Sequence, residues 1–331
     1  MMDEIKRKTA GSDYEFLRTN PDLKHCIYLT LSGSYGYGTN TPQSDMDLRG
    51  VLVEQPKYLY GLQNYEQFED IPTDTVIYGL KKYVALCVAA NPNALELLGT
   101  DDTCVVVQTE AGRLLRGNAD LFLSHRVINS FGNYATAQLR RFCNALCHDQ
   151  YSEKEQEAHL AATLRGQIDH FNRTYSSFDE NALRIYEDAD GILKMDVNLS
   201  EYPVRDFVGI YGEMQNTVKA YNKLNHRNRK KDDAHLYKHA MHLIRLLITG
   251  IDILDGKGII TRRVEEHAFL MDIRNGRYTF DEIKQLAEEY QQRFQTAAER
   301  TSLPMEPDLE QVESLMLQIY RITSDVGTMN R

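Results

Sequence analysis

The chain has 331 residues, 42% of them hydrophobic, enough to bury ordinary cores in one large domain or two smaller ones without disulfide or metal staples. Its 38 Lys and Arg stand against 48 Asp and Glu, and the net charge of −10 disfavours an indiscriminate grip on long duplex DNA. No apolar run approaches the ~20 residues that a membrane helix needs, and the stretch from Met1 to Lys6 lacks the apolar core of a signal peptide, so the expectation is a cytoplasmic protein with no membrane partner.

In chain order, Cys26-Ile27-Tyr28-Leu29-Thr30-Leu31 is rich in branched and aromatic residues and predicts a buried strand over 26–31. It runs into Gly33-Ser34-Tyr35-Gly36-Tyr37-Gly38-Thr39, which reads as a flexible turn of phosphate size. Ser44-Asp45-Met46-Asp47-Leu48 follows, and a second strand is predicted over 45–53, whose period of two puts Asp45 and Asp47 on one face. Carboxylates two apart on a strand are ~6.6 Å apart along its axis, within reach of ions separated by ~3.5–4 Å. Brought together without a cation they repel: two unit charges ~4 Å apart cost ~4 kcal/mol at an effective dielectric of ~20. A third strand over 74–78 opens on Asp74, with Glu54, Glu66, Glu69 and Asp70 as competing acids nearby.

Further elements are helices near 79–90, 92–98 and 109–117 and a strand near 103–107. From Arg126 onward the periodicity is mostly helical, near 127–148, 153–174, 203–224, 233–254, 280–298 and 308–323, with an extended pair over 183–199. The resulting expectation is α+β: a catalytic domain over 1–125 with a short mixed sheet flanked by helices, then a mostly helical substrate- or nucleotide-binding domain over 126–331.

Taken singly, a glycine cluster is usually a plain turn and an Asp-x-Asp usually a solvated strand end. Taken jointly, with a strand before, a strand after and a third Asp beyond, a metal site is the better account. The five cysteines form no Cys-x-x-Cys and are read as reduced; Cys143, Cys147 and His148 lack an evident fourth zinc ligand. His235, His239 and His242 share a helix face, without an acid or thiol to complete a zinc site. The basic run from Lys219 to Lys231 reads as a solvated loop before it reads as a polyanion contact.

The glycines at 33, 36 and 38 make neither Gly-x-Gly-x-x-Gly nor a Walker loop. Gly33-Ser34, then Gly38-Thr39 after three residues, then Ser44-Asp45-Met46-Asp47, resembles the signature of the DNA polymerase β-like nucleotidyltransferase superfamily, and within it the YcgL-type predicted nucleotidyltransferases. Asn91-Pro92-Asn93-Ala94-Leu95-Glu96-Leu97-Leu98 and Lys238-His239-Ala240-Met241-His242-Leu243-Ile244-Arg245 resemble further segments of that group. One departure is Tyr37, where many minimal nucleotidyltransferases carry an arginine. The resemblance implies transfer of an NMP from an NTP to an acceptor hydroxyl with release of pyrophosphate, on two Mg²⁺ ions for which Mn²⁺ could substitute. It implies Asp45, Asp47 and Asp74 as metal-binding and catalytic residues, and Gly33, Ser34, Gly38, Thr39, Ser44, Lys238, His239 and Arg245 as contacts to the nucleotide. The acceptor is open between an RNA end, a protein hydroxyl and a small molecule. Two readings of another class stand beside this one: a catalytically silent nucleotide-binding regulator, and an RNA-binding protein acting on tRNA-like ends.

Overall fold

The computed structural model describes residues 5, 7, 9–42, 44–150, 162, 164–166, 183–188, 193–204, 207–208, 211–212, 214–215 and 233–329. The chain divides into two compact units, one formed by Met1–Leu139 together with Tyr237–Arg331 and the other by Arg140–Leu236.

The first unit is built on strand β1 (Cys26–Leu31), buried along nearly its whole length because it lies at an inner position of a five-stranded sheet. Helix α1 (Gly33–Tyr37) follows at once, then β2 (Leu48–Leu52), β3 (Gln67–Asp70), β4 (Thr75–Gly79), α2 (Leu80–Val88), α3 (Pro92–Leu98), β5 (Val105–Gln108), α4 (Glu110–Gly117) and α5 (Arg126–Gln150). The strand order is β3-β4-β2-β1-β5; β2 and β4 run parallel and the other neighbours antiparallel. This is the α+β class and the mixed sheet that the sequence predicts. Leu29, Leu31, Leu48, Leu52 and Ile77 from the sheet, joined by Ile5, Leu23, Met46 and Cys104, make the core on one face.

Edge strand β3 alternates exposed and half-buried residues, and its Glu69 and Asp70 are charges of the kind that keep an open sheet edge from pairing with another chain. Helix starts are fixed by local polar groups. Asn91 accepts the Ala94 N–H ahead of α3 with Pro92 at its first position, and Thr109 accepts the Gly112 N–H ahead of α4. At α2 the cap comes from the segment just after β2, where the buried Glu54 accepts the Lys81 N–H at 2.9 Å.

The same unit is completed by α6 (Asp233–Leu254), α7 (His267–Arg274), α8 (Phe280–Arg300) and α9 (Leu309–Met329). Helix α6 is deeply embedded, with Ala240, Met241, Leu243, Ile244, Leu246 and Leu247 at 2% exposure or less. Helix α9 returns to the sheet domain, where the Tyr320 hydroxyl donates to Glu54 at 3.0 Å. The loop between α6 and α7 is pinned: buried Arg263 pairs with Asp252 and reaches the Thr249 hydroxyl, and Thr261 donates to the Gly99 carbonyl at 3.0 Å.

In the second unit, β6 (Leu183–Glu187) and β7 (Leu193–Val197) form the antiparallel pair expected over 183–199. The expected helix over 153–174 and the basic run from Lys219 to Lys231 lie almost wholly outside the described residues, as do the side chains of Cys143, Cys147 and His148 within α5. Among the described residues no helix is long and apolar enough to cross a membrane.

Candidate active site

The glycine segment is a single tight helix as well as a turn. Gly33 enters it at φ +56°, and Gly38 leaves it at φ +74° with the Thr39 N–H returned to the Ser34 carbonyl at 2.8 Å, a left-handed helix end that glycine adopts without strain. The Gly33 requirement is also steric. A Cβ there would stand 2.0 Å from Asp47 Oδ2, so only glycine admits the aspartate against the backbone. The approach is anchored by the Ser32 N–H, which donates to the Asp47 carbonyl at 2.8 Å just beyond the last β1–β2 pair, Leu31 with Leu48.

Asp45 and Asp47 therefore sit in an extended segment immediately before β2, not inside a strand over 45–53. The ladder starts at Leu48 because β1 turns away after Leu31 into α1. The alternation nevertheless holds: Asp45 is exposed, Met46 buried, Asp47 half-buried and Leu48 buried, so both carboxylates leave the core-facing side to their neighbours.

Asp74 lies one residue ahead of β4, at φ +45°. That conformation is costly for a non-glycine residue, and Arg49 over-determines it. Its guanidinium donates to the Asp74 carbonyl and, at 2.8 Å, to Asp74 Oδ1. Since Arg49 is two residues beyond Asp47, the same period of two that pairs the aspartates also marked this cation. Three of the competing acids are otherwise engaged: Glu54 caps α2, Glu66 pairs with Lys82 at 2.7 Å, and Asp70 accepts from Thr73.

Asp47 and Asp74 lie close enough for each charge to act on the other. Burial first, and then the Asp74 charge, push the Asp47 carboxyl from 3.8 up to about 6, with Arg49 and Lys238 pulling the other way. A carboxyl pair in this condition lacks positive charge between its oxygens, which a hard divalent cation with oxygen ligands would supply. The Tyr14 phenol also faces this field; its pKa is raised by burial and then by Asp13, Asp47, Asp70 and Asp45. Among the described residues no three His, Cys, Asp or Glu side chains converge to hold a metal; Asp47 and Asp74 are neighbours and Asp45 is exposed.

The sequence model of the family described as the RNA repair pathway DNA polymerase beta family, RlaP, matches residues 4–193. The chain belongs to this family. A search of curated proteins and one of solved structures found no match. The RlaP match spans α1, both aspartates before β2 and Asp74, and ends before α6, the helix that carries the other expected nucleotide contacts.

Those contacts fall into two groups. Arg245 is buried and committed: it pairs with Glu96 at 2.5 Å, and its guanidinium lies 3.5 Å from the centre of the Tyr37 ring. Burial pulls its pKa down, and the Glu96 carboxylate together with the Tyr37 and Tyr134 hydroxyls more than offsets this. Tyr37 donates to the other Glu96 oxygen at 2.6 Å, so Arg245, Glu96 and Tyr37 lock α1 to α3 and α6. Lys238 and His239 are exposed, and Lys238 is close enough to Asp47 to stabilise its charge. Ser44 is turned inward to its own loop, accepting the Thr41 N–H at 2.8 Å. Ser34 and Thr39 are buried in α1 and just after it. At the far end of α1, His267 shares a hydrogen bond with the Gly38 carbonyl at 3.0 Å and Arg274 donates to the Thr39 carbonyl. No local pattern marks either residue, since they reach the glycine segment from 229 and 235 residues away.

Proposed function

We propose that this RlaP family member is a metal-dependent nucleotidyltransferase that moves an NMP from an NTP to an acceptor hydroxyl. The observation that carries the reading is the Asp47 carboxylate, pressed against a glycine backbone that no other residue could replace and paired with a second carboxylate held by Arg49. Asp47 and Asp74 would hold Mg²⁺ or Mn²⁺, with Asp45 as the third ligand drawn in from the exposed segment. Such an ion supplies Lewis-acid stabilisation of charge on the phosphoryl oxygens and the leaving pyrophosphate.

The chain's own groups do the rest. Gly33 and Ser34 line the approach of the phosphate tail, and exposed Lys238 and His239 offer positive charge and donors beside it. The acceptor O–H gives its proton to the Asp47–Asp74 pair, the freed oxygen bonds to the α-phosphorus, and the bridging bond to the β-phosphate breaks to release pyrophosphate. Arg49 keeps Asp74 aimed throughout. Arg245 acts through Tyr37 as a positioning residue for α1.

The family description makes an RNA end the first acceptor to test, ahead of protein hydroxyls and small molecules. The test supplies α-labelled NTPs and Mg²⁺ with 3′-hydroxyl RNA ends, a mixed protein extract or small polyols, using wild type, Asp45→Asn, Asp47→Asn and Asp74→Asn. Transfer of label with pyrophosphate release in wild type, lost in Asp47→Asn and Asp74→Asn, is the expected result. Equal turnover in all four proteins ends the mechanism, and nucleotide binding without pyrophosphate in wild type identifies a silent regulator instead.

A further inference from the structure

Among the described residues, the arginines with buried or half-buried side chains each have a carboxylate partner, except one. Arg49 has Asp74, Arg116 has Asp102, Arg126 has Glu306, Arg245 has Glu96 and Arg263 has Asp252. Arg274 has only the Thr39 carbonyl, although burial already acts against its charge. A half-buried cation without a counter-charge is a costly feature that an incoming anion would repair.

Its surroundings point the same way. Arg274, Lys238, His239 and Arg245 all act on the half-buried His242, whose pKa falls to about 3, first through its own burial and then through these charges. His242 is therefore neutral and keeps one N–H to donate, and its ring meets Tyr37 edge-on at 6.2 Å. Lys238 is exposed and has no carboxylate partner among the described residues. The Thr39 hydroxyl, in a residue at 0% exposure, has no hydrogen-bond partner among the described residues. The arginine that would otherwise compete, Arg262 over Gly38, is already engaged by Thr103 at 2.8 Å and Asp101.

We propose that Arg274, Lys238, His242 and Thr39 form a phosphate-binding site beside the C-terminal end of α1. Arg274 and Lys238 supply the charge, and the Thr39 hydroxyl and the His242 N–H supply neutral donors. The ligand is a phosphoryl group carried either by the tail of a nucleoside triphosphate or by the terminal phosphate of an RNA strand. The site rests on the nucleotidyl-transfer reading only for the choice between these two sources.

The experiment measures binding of sodium tripolyphosphate to the full chain by calorimetry, without divalent metal, for wild type, Lys238→Ala, Arg274→Gln and Arg274→Lys. A roughly tenfold or greater loss of affinity is expected for Lys238→Ala and for Arg274→Gln, with Arg274→Lys between them and wild type. Displacement by ATP but not AMP assigns the site to the nucleotide tail. Displacement by a 5′-phosphorylated RNA oligonucleotide, but not by its dephosphorylated form, assigns it to an RNA end. Unchanged affinity in Lys238→Ala overturns the proposal, and that surface variant keeps the test decisive even if Arg274→Gln fails to fold for want of its bond to Thr39. Because no turnover is involved, intact phosphate binding without pyrophosphate release would count against nucleotidyl transfer and leave this site standing.

Discussion

Replacing Asp47 by Asn should make the metal-free protein more stable, because the native fold holds this carboxylate where its charge is unwelcome. Its pKa rises from 3.8 to about 6 through burial and the Asp74 charge, which at about 1.4 kcal/mol per pH unit bounds the penalty near 3 kcal/mol at neutral pH. Asp47 is only half-buried, so solvent screening reduces this to about 1–1.5 kcal/mol. The amide keeps the shape that fits against Gly33, and a gain of that size raises Tm by roughly 1.5–2 °C in a chain of this length. The sign with pH follows from linkage. A carboxyl whose folded pKa is raised burdens the folded state fully above about 6, and the burden fades as the pH falls toward the unfolded value of 3.8. Melting curves of wild type and Asp47→Asn in chelator at pH 7.5 and pH 4.5 should therefore separate at the first and converge at the second. A variant that melts several degrees below wild type at both would refute the reasoning and make Asp47 a structural residue.

Gly33→Ala should cost about 1–3 kcal/mol, from a positive φ and a Cβ driven into the Asp47 carboxylate, and should remove any stabilisation by Mg²⁺-nucleotide in a thermal shift assay. Arg49→Ala should leave Asp74 without both of its guanidinium bonds. Stability is expected to fall by no more than ~1 kcal/mol, since Asp74 is well exposed, while metal-dependent nucleotide binding weakens well beyond that; equal losses in both assays would deny Arg49 a positioning role. Arg245→Met should destabilise by about 3–5 kcal/mol in denaturant titration by stranding buried Glu96. Adding Glu96→Leu should recover part of this but not all, because the Tyr37 hydroxyl then loses its acceptor.

Much of this architecture could be read from local patterns. The run of buried residues over β1 and the Asn91-Pro92 start of α3 are decided by neighbours in sequence, and periodicity located them. Asp74 as a third carboxylate came from the resemblance to the superfamily, with four other acids nearby as competitors. What escaped depends on distant parts of the chain. Gly33–Tyr37 has poor helix propensity, and its helical turn is imposed by the β1–β2 pairing on one side and by Glu96 and Arg245 on the other. Strand β3 is four residues long with a single apolar member, Phe68, too short for alternation to register, and α7 offers only eight residues between loops. Arg245 was expected to touch the nucleotide on the strength of the family resemblance. Only the fold shows that Glu96 had already claimed it, and that Arg274, an unremarked residue in sequence, is the cation left over.

The division of the chain has a consequence for how the protein is made. The sheet unit is assembled from the first 139 residues and the last 95, with Arg140–Leu236 inserted between them. Glu96 and Glu54 thus leave the ribosome well before the Arg245 and Tyr320 that satisfy them, and at ~5–20 residues per second the wait is several seconds or longer. During that interval the nascent N-terminal segment carries two acids that still lack their later partners, and an apolar surface without α6. Premature termination anywhere before residue 245 should therefore yield an aggregation-prone fragment, not a reduced but working catalyst.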